Sequence, residues 1–181
     1  PSIIIEAGEE NYSSNSQKYY IGKIIGDNLA DLSSSRLRQL GGTSGHWGGW
    51  CKPIEYYNFK NWPLKKENIE QYSKKTCSIL NIKNKFSTSE INEYFNQIES
   101  QYSNIRFAEK YKSYLEKSKN IHIILNCQLS HFEGSNGNIE NAVCIYQNSL
   151  KKIKSKYYIL ACGGIENSRI LLWTREKNEK L

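Results

Sequence analysis

Methionine is missing altogether from the 181 residues, no two cysteines form a Cys-x-x-Cys pair, and no apolar stretch approaches the ~20 residues that cross a bilayer. The short apolar runs exclude a membrane-spanning helix. Cys51, Cys77, Cys127, Cys144 and Cys162 are odd in number and have no histidine at zinc-finger spacing, which argues against a disulfide framework and against structural zinc. No charged segment followed by an apolar one opens the chain, so no secretory signal is read and the cytoplasm is favoured. Repeats and low-complexity tracts are also lacking.

What is present describes a folded protein. Hydrophobic residues make up 38% and aromatics 12%, too much for a disordered tail, and the length suits one domain with a sizeable core. The net charge of +7 would suit a polyanion, yet 20 of the 25 cations are lysine. They stand in ones and twos among acids, and Ile, Lys and Asn, the residues of AT-rich codons, together fill a third of the chain. A solvated surface follows, and neither nucleic acid nor membrane is expected as a partner.

The chain opens on Ser2-Ile3-Ile4-Ile5-Glu6, an apolar run expected of a strand buried on both faces of a parallel sheet. Such a strand needs neighbours on both sides, and with methionine absent it is read as internal to a longer protein. Residues 8–49 read as a long loop region. Helices are expected from Leu64 (Ile69, Tyr72, Thr76, Ile79, Leu80 on one face, Pro63 at the start), from the capping pattern Ser87-Thr88-Ser89-Glu90 (Ile91, Tyr94, Phe95, Ile98), and over Phe107–Lys119. Strands are expected over Ile121–Asn126, as a hairpin of Gln128–Glu133 and Ile139–Gln147 around a turn containing Asn136-Gly137, and as a buried strand Tyr157–Ala161 leading into an amphipathic helix Ile165–Arg175.

Three stretches carry chemistry. Glu6, followed by Ala7 and Gly8, ends a buried strand, where dinucleotide-binding folds use an acid to accept ribose hydroxyls; the glycine-rich phosphate turn that precedes such an acid by roughly 20 residues is not in the sequence. Between Gly41 and Gly49, five glycines in nine residues surround Thr43, Ser44, His46 and Trp47, with Trp50 next. That composition lets backbone amides approach a ligand beside polar groups and flat aromatic rings, whereas a linker rarely holds two tryptophans. In Ala161-Cys162-Gly163-Gly164 a strand passes into a helix through paired glycines, which exposes helix N-terminal amides to an anion or nucleotide edge. A tight strand-to-helix turn is the alternative there, and an exposed strand-end acid is the alternative for Glu6.

In this order these pieces, with Asn61-Trp62-Pro63-Leu64, Asn120-Ile121-His122-Ile123 and Leu125-Asn126-Cys127-Gln128-Leu129 between them, resemble the glucose-methanol-choline family of flavin oxidoreductases over nearly the whole chain. The resemblance implies an α/β fold: an FAD-binding Rossmann-like domain (residues 1–60 and 119–181) with an inserted helical substrate-side segment (61–118), incomplete at both ends. It implies FAD, and oxidation of a small-molecule alcohol or sugar by hydride transfer to flavin, with the final electron acceptor undetermined. Glu6 would hold the adenosine ribose and Gly8 would follow it. Gly41, Gly42, Thr43, Ser44 and Gly45 would line pyrophosphate and flavin beside His46 and Trp47, Leu129 would meet adenine through its backbone, and Ala161, Cys162 and Gly163 would close over the nucleotide.

His46 stands where some members join a histidine nitrogen to the flavin; local packing without a bond is the alternative. Arg36 and Arg38 flank the loop, with structural pairing as their alternative role. The family's catalytic histidine lies in a C-terminal segment with no counterpart here, and His122 and His131 read as structural, so no catalytic base is named. A non-catalytic nucleotide-binding remnant is the competing reading.

Overall fold

In the computed structural model, which describes residues 1–27, 30–55 and 59–178, the apolar opening run forms β1 (Ser2–Ile5). In chain order there follow α1 (Ser14–Gln17), α2 (Leu32–Ser35), β2 (Trp50–Cys51), α3 (Lys66–Glu70), α4 (Ser73–Leu80), β3 (Thr88–Asn92), β4 (Phe95–Ile98), β5 (Gln101–Tyr102) and α5 (Phe107–Lys117). The chain ends through β6 (Ile121–Ile124), β7 (Cys127–Ser135), β8 (Asn138–Tyr146), β9 (Ser149–Ile153) and α6 (Gly164–Lys177). The fold is mixed α/β and divides into a discontinuous unit, Pro1–Thr43 with Tyr111–Leu181, and a continuous one, Ser44–Lys110. The parts of the expected loop at 28–29 and of the expected domain segments at 56–58 and 179–181 lie outside the described residues.

In the discontinuous unit β1 pairs in parallel with β6, Ser2 opposite Ile121 and Ile5 opposite Ile124. The zipper continues past the strands: Glu6 N–H donates to Ile124 O at 3.0 Å, Cys127 N–H to Glu6 O at 3.0 Å and Asn126 N–H to Gly8 O at 2.9 Å. Ile3 remains 50% exposed, so β1 is not the strand covered on both faces that its sequence suggests; β6 is its one partner among the described residues, and a two-stranded ribbon leaves apolar side chains in water.

Strands β7, β8 and β9 form an antiparallel meander. The expected hairpin is present, turning at Asn136 and Gly137, both at positive φ, as a two-residue connection that follows strand twist requires. Helix α6 crosses the meander with Ile170 buried among Cys127, Phe132, Ala142 and Cys144. Thr174 Oγ1 fixes it there by accepting the Phe132 N–H at 3.0 Å. Ile165, Leu171, Leu172 and Trp173 are exposed, so α6 is apolar on more than its packed face. Tyr157–Ala161 forms no strand with any partner among the described residues. Its even residues, Tyr158 and Leu160, pack on the core while Tyr157 and Ile159 are 75% and 91% exposed, which corrects the expectation of burial on both faces.

In the continuous unit the helical face expected from Leu64 is split into α3 and α4 at Gln71-Tyr72, where Tyr72 is exposed and the Gln71 side chain donates to Asn68 O. The helix expected after Ser87 is instead the antiparallel pair β3–β4. Asn92 Oδ1 accepts the N–H groups of Tyr94 and Phe95 at 2.9 and 3.0 Å, closing the chain into a turn. Ser87 then pairs with Glu99 rather than capping toward Glu90: its Oγ donates to Glu99 Oε2 at 2.6 Å. Twelve residues of separation defeat the local capping pattern. No helix among the described residues is long and apolar enough to cross a membrane.

Candidate cofactor-binding site

The parallel ladder delivers Glu6 to the carboxyl end of β1, where its Oε1 accepts the Gly8 N–H at 2.7 Å. Burial pushes the Glu6 carboxyl above its ordinary pKa, against the opposing pull of the Gly8 N–H and the Arg38 charge. Gly8 itself is fixed by crowding. A Cβ there would lie 2.1 Å from the Arg38 carbonyl oxygen, because the segment through Gln39 bridges in parallel to Glu9 and Leu40 N–H donates to Glu9 O at 2.8 Å.

The second expected contributor, the turn at Ala161, Cys162 and Gly163, is fastened by a residue that the sequence did not single out. Asn167 Oδ1 accepts the Cys162 N–H at 2.9 Å and its Nδ2 donates to Leu160 O at 3.3 Å. The Cys162 amide is therefore used inside the turn. Gly163 sits at φ +85° with open space where a Cβ would be, and it leads into the fourteen-residue α6, whose first-turn amides have no intrahelical acceptor. Burial raises the Cys162 thiol pKa, with the charges of Glu166 and Glu6 adding to it.

Arg36 and Tyr20 meet beside Glu166 of α6. The Arg36 guanidinium carbon lies 4.1 Å from the Tyr20 ring centroid, and its Nη1 is 3.8 Å from Glu166 Oε2. Glu166 is taken more closely by Arg169, whose Nε donates to Oε1 at 2.8 Å. As a result Arg36 Nε and Nη1 are buried without a hydrogen-bond acceptor. Burial raises the Tyr20 hydroxyl pKa, with Arg36, Glu166, Glu6 and Arg38 all acting on it.

Leu129 lies in β7 opposite Cys144, its side chain against the core. Among the described residues β7 pairs as a strand with β8 alone; on its other edge the Cys127 N–H is taken by Glu6 O, and beyond it an edge strand turns alternate backbone groups outward. His122 is exposed on β6, and His131 Nδ1 shares a hydrogen bond with Ser130 Oγ at 3.0 Å.

The glycine-rich loop crosses from one unit to the other between Thr43 and Ser44. On the first side Gly41 and Gly42 have φ of +84° and +54°, and Thr43 Oγ1 accepts the Leu37 N–H at 3.3 Å. In the continuous unit Ser44 Oγ accepts the Phe107 N–H at 3.4 Å at the start of α5, and the Trp47 indole donates to Ile105 O at 2.8 Å. Trp50 and Tyr102 meet edge-to-face at 5.7 Å across β2–β5. These bonds make the stretch an anchored loop rather than a slack linker. Gly45 and His46 lie exposed on it, and the His46 ring makes no hydrogen bond among the described residues.

Glu6, Gly8, Leu129, Ala161, Cys162 and Gly163 thus belong to one unit with Gly41, Gly42 and Thr43, while Ser44, Gly45, His46 and Trp47 belong to the other. Buried guanidinium donors without an acceptor fit phosphate oxygens, and a strand-end carboxylate beside a glycine turn fits ribose hydroxyls, so the donor set suits a dinucleotide. No protein-family model matches the chain, and no curated protein matches it.

Proposed function

We propose that this chain is part of an FAD-dependent oxidoreductase of the glucose-methanol-choline type, acting on an alcohol or sugar hydroxyl, and that the discontinuous unit is the nucleotide-binding part of a Rossmann-like domain. The observation that carries the reading is the pair of buried Arg36 nitrogens without an acceptor beside Glu166 in the first turn of α6, in the same unit as the parallel strand pair that ends at Glu6. Glu6 accepts ribose hydroxyls, and its negative charge disfavours a phosphate there. Arg36 and the first-turn amides of α6 take pyrophosphate oxygens, and outward backbone groups of β7 at Leu129 meet adenine. By the resemblance, Gly41, Gly42, Thr43, Ser44, Gly45, His46 and Trp47 serve the flavin end. When bound, FAD supplies the hydride acceptor for a carbinol carbon, and the chain's own task is to bind and orient it.

Titration of the purified protein with FAD, followed by quenching of flavin fluorescence, tests the reading. Saturable binding that AMP and ADP compete away is expected, with dye-linked turnover of a sugar or alcohol when the catalytic groups are present. Failure to bind FAD at all refutes it; binding without turnover in a parent protein that carries the C-terminal catalytic segment favours the nucleotide-binding remnant.

A further inference from the structure

Tyr20 ends the short turn Lys18–Tyr20 that continues α1, inside a stretch whose sequence reads as loop. Helix and turn together bracket the segment that carries Arg36. The Gln17 side chain, 5% exposed, donates to Ser33 O at 2.6 Å and to Arg36 O, and accepts the Arg38 N–H at 3.1 Å, which pins the backbone on both sides of Leu37. The Tyr20 ring then takes the Arg36 side chain, with the guanidinium carbon 4.1 Å from the ring centroid.

The kind of contact matters. A carboxylate partner would neutralise the guanidinium and occupy its N–H donors, whereas an aromatic ring attracts the cation with its π face and leaves the charge standing. The nearest carboxylate, Glu166, stands 3.8 Å from Arg36 Nη1 and has its Oε1 taken by Arg169 Nε at 2.8 Å. Arg36 is therefore held in place while its Nε and Nη1 stay buried without an acceptor. An arginine free in water gives up side-chain freedom when it grips a phosphate; one already laid on a ring has lost it in advance.

We propose that Tyr20 is a positioning residue: its ring presets the Arg36 guanidinium for an anion, and so makes the site select nucleotides by their phosphates more than by their base. The inference rests on the nucleotide reading above and names the residue that sets its phosphate affinity. The contribution of Tyr20 appears only with ligands that carry phosphate, and only while Arg36 is present.

The test titrates the purified protein with FAD by flavin fluorescence and displaces it with ADP or adenosine. Wild-type protein should hold ADP about tenfold more tightly than adenosine, or better. Tyr20→Leu, which removes the ring and keeps apolar bulk, should weaken FAD and ADP about tenfold while adenosine stays within about twofold. Tyr20→Phe keeps the ring and should match the wild type. Arg36→Lys, the change on the other side of the contact, keeps the charge without the planar group and should show the same loss confined to phosphate ligands. Tyr20→Leu combined with Arg36→Ala should cost no more than Arg36→Ala alone. Equal losses for ADP and adenosine, additive losses in the double variant, or a Tyr20→Phe as weak as Tyr20→Leu would overturn the positioning role and leave the nucleotide reading intact. Wild-type protein that binds neither FAD nor ADP overturns both.

Discussion

Glu6→Gln separates a ligand-holding acid from a structural one, because the two roles move two observables in opposite directions. The glutamine keeps an amide oxygen for the Gly8 N–H that Oε1 now accepts at 2.7 Å, so the local turn is preserved. What disappears is a charge whose pKa burial has raised. An acid with a raised folded pKa binds its proton more tightly when folded, so stability falls as pH climbs from the ordinary glutamate value through the folded one and stays lower above it. At neutral pH the wild-type protein therefore carries the cost of a partly buried carboxylate, offset in part by Arg38. Removing the charge should leave the melting temperature unchanged or raise it, and should flatten the acid-side stability profile in that window. Ribose hydroxyls, by contrast, lose a charged acceptor, and such bonds contribute about 1.5–3 kcal/mol, a rise in the FAD dissociation constant of roughly 10- to 150-fold. Flavin-fluorescence titration of apoprotein and thermal melts from pH 4 to 8 read both effects. A lowered melting temperature with unchanged FAD affinity would refute the reasoning and return Glu6 to a structural role.

Further outcomes are expected, the first from the family resemblance and the rest from the geometry. Acid precipitation should leave flavin in the pellet if His46 is the attachment point, and His46→Ala should release it to the supernatant; flavin wholly soluble in the wild type excludes the bond. Gly8→Ala should destabilise by about 3 kcal/mol or more in urea melts, since the new methyl meets the Arg38 carbonyl oxygen, and a cost near zero would show that the two segments are not packed as described. Asn167→Ala should cost roughly 1 kcal/mol per lost bond in the same assay and raise hydrogen exchange at Cys162, whereas unchanged protection there would contradict the fastening role. Cys144 is fully buried and its thiol is pushed up to about 12, chiefly by burial, so an alkylating reagent at pH 8 should label Cys162 and spare Cys144 until the protein unfolds. Folded protein should also lose stability as pH rises above the ordinary thiol value of ~8.5, because the unfolded chain gives up that proton first.

The parts of the fold visible in the sequence are those settled within a few residues. Asn136-Gly137 announces the β7–β8 hairpin because both backbone positions must have positive φ, and the spacing of Phe107, Tyr111, Tyr114 and Leu115 marks α5 within two residues of its observed end. Strand β9 escapes notice because its turn uses Gln147 and Asn148 at φ +48° and +58° without a glycine to mark it. The pattern from Ser87 to Ile98 satisfies helical spacing and a capping box equally well. It folds as a hairpin because Asn92 bonds the two amides beyond it and Glu99 takes Ser87, an outcome that no window shorter than the hairpin contains.

The candidate site divides along the same line. Glu6, the loop around His46 and the Gly163 turn are legible because acid, imidazole and glycine declare their chemistry by type. Arg36 and Asn167 are not, since one matters through donors that burial leaves without an acceptor and the other through bonds to a turn it merely adjoins. Arg38 is least legible of all: its bond to Gln128 spans 90 residues, and its burial is a product of that long-range packing. Glycine shows why type alone misleads. Gly8 and Gly163 look equivalent in sequence, yet a Cβ at Gly8 would meet backbone whereas at Gly163 it would meet open space. Only the second leaves room for a ligand to lie against the chain, which is why the proposal seats a nucleotide on the Gly163 side of Glu6 and leaves Gly8 to hold the segment that carries Arg38.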